Sequence, residues 1–545
     1  MAAKRTRPLA VALLTLALCA CGDEAAEPRR FSAPPADPAD LEAMRRLVPT
    51  DAALVMGAPS LAVADQALAD MSALFGGRAP SLLQPLAAAL QGTLFERFID
   101  HDRPLLVALA PSGTSAEPVI VLPVTDAAAL RAGLEGVTIH EDGRYLGLSR
   151  DPTYTPGNAL APLTAPLPDG QLALRADLAS MLAPLRPMAE LMVPSMAAQA
   201  PAGSMGGMDP AALMSAYVRF VFDGAQAVDS IELGLSMLDG SLDVSGQVDV
   251  VPGSPLADIP AAQCDTLDEM VAWLDGGAAM QMVCAIDAGA FAQATRGWML
   301  ETVDVWPDTS EDALIEYLAT LEVVSRRCGH VFVMDGEFSP GGIDCAYLFE
   351  ADDADAFVDT LSVFMQQGLE VIGGRAVELI KSSRDGRPST ELVVDMSAML
   401  ESSGDDDPAV DQILRQMYGD GVMRYVTTAG DGRVVMAGGT RSESASARLD
   451  APRGNPPQSL LRALDQLDGM HTRAVMRMDY GRMFTTIAGL MQGMPDMQPE
   501  LVERLRTEHE IPLTLWVGGL GRRWRVGSSL DLAGLAELIK SLQAR

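Results

Sequence analysis

A short unit recurs along this chain of 545 residues: an apolar, strand-like stretch, then Asp, then a pattern of helical spacing. The Asp falls where a strand ends and a helix begins, so its carboxylate can accept hydrogen bonds from the free backbone N–H groups of the helix. Because the feature recurs as a structural element would, it predicts helix N-caps rather than catalytic carboxylates. The four copies contain Asp177, Asp287, Asp395 and Asp479.

The order of elements around these units also repeats. Each half contains an apolar strand, a second strand followed by a helix, a short hairpin, the strand–Asp–helix unit and a long hairpin. The short hairpins turn at Asp142-Gly143 and Asp431-Gly432, which are dipeptides suited to positive φ. The sequence therefore predicts an internal duplication, with an insertion near 370–415 in the second copy.

Alternating strands joined by hairpins indicate antiparallel sheets, and helices predicted at 126–135 and 353–366 interrupt them. The predicted fold class is therefore α+β, with two related halves that each form an antiparallel sheet with helices packed on one face. We place the halves at 41–255 and 256–545, because the chain between them, 252–260, is interrupted by prolines.

The amino-terminal residues carry the pattern of an export signal. Met1–Pro8 contains three basic residues, and the apolar run Leu9–Leu18 follows. This run is about half of the ~20 residues that a transmembrane helix requires. The next residues complete the stretch Leu18-Cys19-Ala20-Cys21, which resembles the lipobox of bacterial lipoproteins.

The resemblance implies a signal peptide at 1–20 and a lipidated cysteine that becomes the first residue of the mature protein. We assign the lipid to Cys21 because it follows small Ala20, whereas Cys19 follows a bulky leucine. Several acyl chains would anchor the protein to a membrane of the bacterial cell envelope, at the periplasmic or surface face. Residues 21–40 are rich in Pro, Ala and acid, which predicts a disordered tether. An ordinary secretory signal is the alternative.

The charge of the chain limits its partners. The net charge is −33, and removal of the three basic residues of the signal would bring it to −36. Binding of nucleic acid requires a basic surface, so we expect no nucleic-acid partner.

In the body, the stretch 48–52 reads V-P-T-D-A, and it resembles the opening strand of bacterial envelope proteins of unknown function. That resemblance implies no activity.

Four cysteines remain beyond the anchor. In an exported protein they predict two disulfides, and sequence alone leaves three pairings open. The shortest loops favour Cys264–Cys284 and Cys328–Cys345, with free buried thiols as the alternative. A zinc site is disfavoured because the chain has no closely spaced pair of the C-x-x-C type.

The chain has no G-x-S-x-G, S-x-x-K or H-E-x-x-H motif, and its five histidines are scattered singly. We therefore predict no catalytic residue and no cofactor.

Met491, Met494 and Met497 have a spacing that copper(I) accepts, although methionine at helical spacing is also typical of a core. The acidic runs 350–355 and 404–407 lack the ligand spacing of an EF-hand, which disfavours a calcium site.

A basic cluster interrupts the acidic sequence near its carboxyl end. Arginine and tryptophan are frequent at binding hot spots, so the cluster is a candidate partner site, although exposed arginines are also common after a Gly-rich turn. Its members are Arg522, Arg523, Trp524 and Arg525.

The expected function is that of a lipid-anchored, non-catalytic envelope protein that binds a protein partner or an apolar ligand. An exported hydrolase with a dispersed site and a methionine-based copper-binding protein are the alternatives.

Overall fold

The described residues of the chain form two compact units. The described residues of the first unit fall within Met1–Leu185, Val228–Asp249 and Gly527–Arg545, and those of the second within Arg186–Ala227 and Val250–Val526. Both units are therefore discontinuous along the chain, whereas the sequence predicts two consecutive halves. The computed structural model describes residues 37–74, 95–110, 117–157, 171–197, 210–238, 240–254, 256–262, 265–300, 311–339, 342–371, 377–395, 421–450, 454–491, 499–507 and 509–543.

The described strands are numbered in chain order. They are β1 (Leu54–Ala58), β2 (Leu105–Ala110), β3 (Glu117–Pro123), β4 (Thr138–Asp142), β5 (Tyr145–Ser149), β6 (Leu172–Ala176), β7 (Val228–Leu238), β8 (Ser241–Val250), β9 (Met280–Ala285), β10 (Cys328–Ser339), β11 (Gly342–Ala351), β12 (Val377–Arg384), β13 (Arg387–Asp395), β14 (Val422–Gly430), β15 (Arg433–Gly438), β16 (Thr472–Asp479), β17 (Pro512–Leu520) and β18 (Arg523–Asp531).

The described α-helices are numbered in the same way. They are α1 (Pro38–Leu47), α2 (Leu61–Leu74), α3 (Ala127–Ala132), α4 (Leu178–Leu182), α5 (Arg186–Ala197), α6 (Pro210–Gln226), α7 (Leu267–Val271), α8 (Ala288–Leu300), α9 (Glu311–Arg327), α10 (Ala354–Val371), α11 (Ala445–Asp450), α12 (Gln458–Gln466), α13 (Tyr480–Met491), α14 (Pro499–Leu505) and α15 (Leu532–Gln543). Among the described residues, no helix combines the length and the apolar character needed to span a bilayer.

Both units are mixed α+β and contain antiparallel sheets. In the first unit the strands lie in the order β4–β5–β3–β2–β1–β6–β7. In the second unit the order is β12–β13–β14–β15–β11–β10–β9–β16–β17. The predicted antiparallel α+β class is therefore confirmed.

The prediction that helices cover only one face of each sheet is wrong. In the first unit α1 packs on one face through Met44, and α2 packs on the other through Leu61. All five residues of β5 are buried, so both of its faces are covered. In the second unit α7 and α12 cover one face and α9 and α10 the other, because neighbouring residues of β15, Val434 and Val435, belong to opposite cores.

The predicted N-caps are confirmed at three of the four recurring units. The Asp177 carboxylate accepts from the Ser180 N–H at 2.9 Å, and Asp287 caps α8 at the same distance. Asp479 accepts from the N–H groups of Arg482 and Ile511, at 3.3 and 3.0 Å. The fourth, Asp395, ends β13, and the residues that follow it lie outside the described ranges.

The predicted insertion contains an edge hairpin, β12–β13. Its turn is made by Asp385 and Gly386, with φ angles of 53° and 77°, a left-handed conformation that suits a two-residue hairpin turn. Among the described strands, β13 joins the hairpin to β14, and β12 pairs only with β13. This hairpin therefore forms one edge of the sheet of the second unit and places Lys381 beside α10.

Candidate functional site

An open cleft lies in the second unit between the start of α10 and the hairpin β12–β13. Its volume is about 460 Å³. Six of the ten lining residues carry a carboxylate or a hydroxyl group, and the rest of the lining is largely apolar. The lining residues are Asp353, Asp355, Ala356, Val358, Asp359, Lys381, Ser382, Pro388, Ser389 and Thr390.

The acidic wall of the cleft is formed by the outward-facing residues at the start of α10. Phe357 and Val358 point into the core and are 0% and 2% exposed, which leaves the acidic residues of the first two turns on the outside. Asp353 caps the helix by accepting from the Ala356 N–H at 3.1 Å. Negative charge at a helix N-terminus is favourable, so the fold stabilises the acidic wall that it presents.

The hairpin supplies the opposite wall. Lys381 on β12 donates to Asp359 at 2.7 Å, and this ion pair joins the two walls while both side chains remain exposed. Ser389 is buried, and its hydroxyl lies 2.8 Å from that of Thr428 on β14. No histidine or cysteine is among the residues that line the cleft. This arrangement can bind cationic groups, but it provides no hydroxyl–imidazole pair for nucleophilic attack.

A second polar cluster is buried within the sheet of the second unit. Asp335 on β10 is 0% exposed, and its two oxygens accept from Arg448 at 3.0 and 2.8 Å. Arg441 also donates to this carboxylate, and the Asp275 N–H does so at 3.2 Å. The Arg448 guanidinium lies 4.5 Å from the ring centre of Trp273, whose indole N–H donates to the Arg448 carbonyl at 2.6 Å.

The same row of the sheet continues this buried polar network. Gln281 on β9 is the register partner of both Asp335 and Arg477. It donates to the Asp275 carbonyl at 2.6 Å and accepts from Arg477 at 3.3 Å. Arg477 also lies 3.5 Å from Asp479, the N-cap of α13. Because these groups bind one another deep in the protein, we interpret the row as structural.

Sequence reasoning missed both the cleft and the buried network. Asp335 and Arg448 are separated by 113 residues, and no local motif marks either of them. The sequence predicts a helix at 353–366 and an insertion near 370–415, but not the contact between them, because that contact depends on the strand order of the sheet.

The predicted disulfides are wrong. Cys284, Cys328 and Cys345 are free thiols, and Cys264 lies outside the described residues. Cys328 lies opposite Ala351, six residues along β11 from Cys345. At ~3.4 Å per residue the two Cα atoms are about 20 Å apart, well beyond the ~7 Å that a disulfide tolerates. Burial raises the pKa of the thiols to about 12, 12 and 11, respectively.

The predicted basic cluster lies at the hairpin between β17 and β18. Arg522 donates to the Val250 carbonyl at 3.1 Å, and Arg525 donates to the Gln466 carbonyl at 3.0 Å. Trp524 packs over Gly519, where an added Cβ would lie 2.8 Å from the indole ring. Backbone contacts therefore account for part of the cluster, and its role in partner binding remains a prediction.

The remaining predicted sites fall largely outside the described residues. Cys21, Met494 and Met497 lie there, and Met491 is the last residue of α13. Within the part of the chain that is described, no group of three or more His, Cys, Asp or Glu side chains is arranged to hold a metal ion.

Comparison with known proteins gives no family. No family model and no curated protein matches the sequence. Among solved structures, crystal forms III and I of TP0453 align with 9% sequence identity. The alignments cover 50% of this chain and 98% and 97% of those chains, with TM-scores of 0.24 and 0.23. Scores of this size do not establish a shared fold.

Proposed function

We propose that the chain is a lipid-anchored protein of the bacterial cell envelope, held at a membrane by acyl chains on Cys21, whose α+β body binds a protein partner without catalysing a reaction. The observation that carries the binding part is the acidic cleft between α10 and β12–β13. Its described lining combines exposed carboxylates with hydroxyls and one lysine. Such a lining suits a polar or cationic protein surface better than an apolar ligand.

The two compact units, we further propose, arose by duplication. The order β4–β5–β3–β2–β1–β6–β7 in the first unit matches β14–β15–β11–β10–β9–β16–β17 in the second, strand for strand along the chain. The hairpin β12–β13 has no counterpart in this correspondence. If the units are copies, the cleft is a feature that the second copy acquired, and such an addition is a natural place for a specific function.

The anchor is tested separately from the binding. Mass spectrometry of the mature amino terminus should find an acylated Cys21 as the first residue. A Cys21→Ala variant should move the protein from the membrane fraction to the soluble fraction after cell breakage. A processed terminus at another residue without lipid, or a Cys21→Ala protein that still sediments with membranes, would remove the anchor from the proposal.

Partner binding is tested at the cleft in living cells. A photo-crosslinking residue in place of Asp355 should give a discrete adduct that is lost when Asp359 is changed to Asn. The matched control places the crosslinker at Asp312, an exposed position at the start of α9. Equal adducts from positions 355 and 312 would indicate non-specific contact and contradict a binding role for the cleft.

A further inference from the structure

We propose that the outer edge of β12 receives an extended, basic segment of a partner polypeptide, which adds to the sheet as a new strand alongside the acidic start of α10. This proposal rests on the proposed function, because it names the chemistry of the partner that the cleft would bind. The first observation is the pairing of β12, which runs from Val377 to Arg384 opposite β13 and has no second partner among the described strands.

An edge strand presents every second N–H and C=O group away from its neighbour. These groups can pair with an incoming strand, and the main-chain bonds then supply the affinity. Over its eight residues β12 contains no proline, so no amide donor is missing from the edge. The side chains in its middle, Ile380 to Ser383, are all exposed. The strand is therefore long enough and open enough to pair with a partner strand.

The charge beside the edge selects the partner. Asp353, Asp355 and Asp359 are exposed on the first turns of α10, and Lys381 is the single basic residue of the cleft lining. The net charge of the whole chain is −33. A second copy of this protein or an anionic membrane surface would be repelled, whereas a segment with lysine or arginine would be attracted.

Lysine on an edge strand often protects the edge against pairing. Here Lys381 donates to Asp359 at 2.7 Å, which holds its charge against α10. Both partners of this ion pair are more than half exposed, at 69% and 60%. Such pairs contribute little to stability, so a cation from an incoming strand can replace Lys381 at small cost.

The test uses the full chain with Cys21→Ser, so that no lipid is attached, and a fluorescent peptide of about ten residues that alternates Lys and Val. Anisotropy titration should give saturable binding with a Kd on the order of 100 μM at low salt. A peptide that alternates Glu and Val should bind at least about tenfold more weakly. Hydrogen exchange should show slower exchange of the amides in 377–384 when the Lys–Val peptide is bound.

Two double variants distinguish the effect of the acidic wall on peptide binding from a general effect of net charge. Asp355→Asn with Asp359→Asn should weaken binding about fivefold. Asp312→Asn with Glu316→Gln removes the same charge from the exposed start of α9 and should leave binding unchanged. Absence of saturation up to ~1 mM, or binding without protection of 377–384, would overturn the proposal. Protection that rises with the concentration of the chain alone would assign the edge to a second copy and also overturn it. None of these outcomes bears on the anchor at Cys21.

Discussion

Replacing Asp335 by asparagine removes one charge and one acceptor from the centre of the second unit. One carboxylate oxygen accepts from Arg441 and Arg448, and the other accepts from Arg448 and the Asp275 N–H. Whichever oxygen becomes an amide NH₂ group, two of these four hydrogen bonds are lost: Arg448 keeps one acceptor, and either Arg441 or the Asp275 N–H loses its bond to this side chain. Arg448 is 0% exposed at its side chain, so its charge has no access to water.

The expected cost follows from that geometry. Removing one partner of a buried ion pair typically costs about 3–5 kcal/mol, because the other charge is left uncompensated. This is a large part of the ~5–15 kcal/mol that stabilises a folded domain. The matched control, Asp335→Leu with Arg448→Met, replaces both charges by apolar side chains. We expect it to recover most of the loss, since Arg441 is 13% exposed and also lies 3.9 Å from Glu337.

Urea unfolding followed by tryptophan fluorescence and circular dichroism measures both variants. Trp273 contacts Arg448 directly and should respond to the loss of the second unit. Because the chain has two units, its urea unfolding can show two transitions. The free energy of unfolding is then calculated from the transition that the Asp335 variant shifts. A cost below about 1 kcal/mol for Asp335→Asn, or a double variant less stable than the single one, would refute the reasoning.

Three further predictions concern local features. The raised pKa values of Cys284, Cys328 and Cys345 predict that iodoacetamide leaves these thiols unmodified in the native protein near pH 8 and modifies them after unfolding, as counted by mass spectrometry. The same shifts contribute stability that is complete below pH ~9 and is lost as the pH rises toward about 12, so unfolding by alkali should steepen in that window. Asp177→Ala should destabilise the first unit by about 1 kcal/mol in urea, through loss of the cap of α4, whereas Asp177→Asn should retain most of that stability.

Features that are local in sequence were predictable. Gly143 and Gly432 occupy the hairpin turns expected of them, with φ of 62° and 66°, because a two-residue turn needs that conformation wherever it occurs. The Asp N-caps follow for the same reason, since capping involves only residues within three positions of one another. These elements were sufficient to infer antiparallel sheets and the α+β class.

The sequence does contain a sign that both faces of the sheets are covered, but the hairpin pattern led us to predict helices on one face. β2 reads LLVALA and most of β3 is continuously apolar, which is typical of strands buried on both faces. The disulfide prediction failed because loop length is a weak guide to distance. Cys328 and Cys345 lie on neighbouring strands, but the register separates them by six residues.

The site itself depends on contacts between distant segments, and burial decides how each polar group in the second unit can act. Asp335 and Arg448 bind each other away from solvent, so they can stabilise the fold but cannot contact a partner. The carboxylates at the start of α10 are held in place by the helix, which Asp353 caps and which carries Asp355 and Asp359, yet they remain exposed. Only the second group combines a fixed position with access to water. A strand inserted at the adjoining edge therefore adds backbone hydrogen-bonding groups to charges already in place, which is the combination that recognition of an extended basic segment requires.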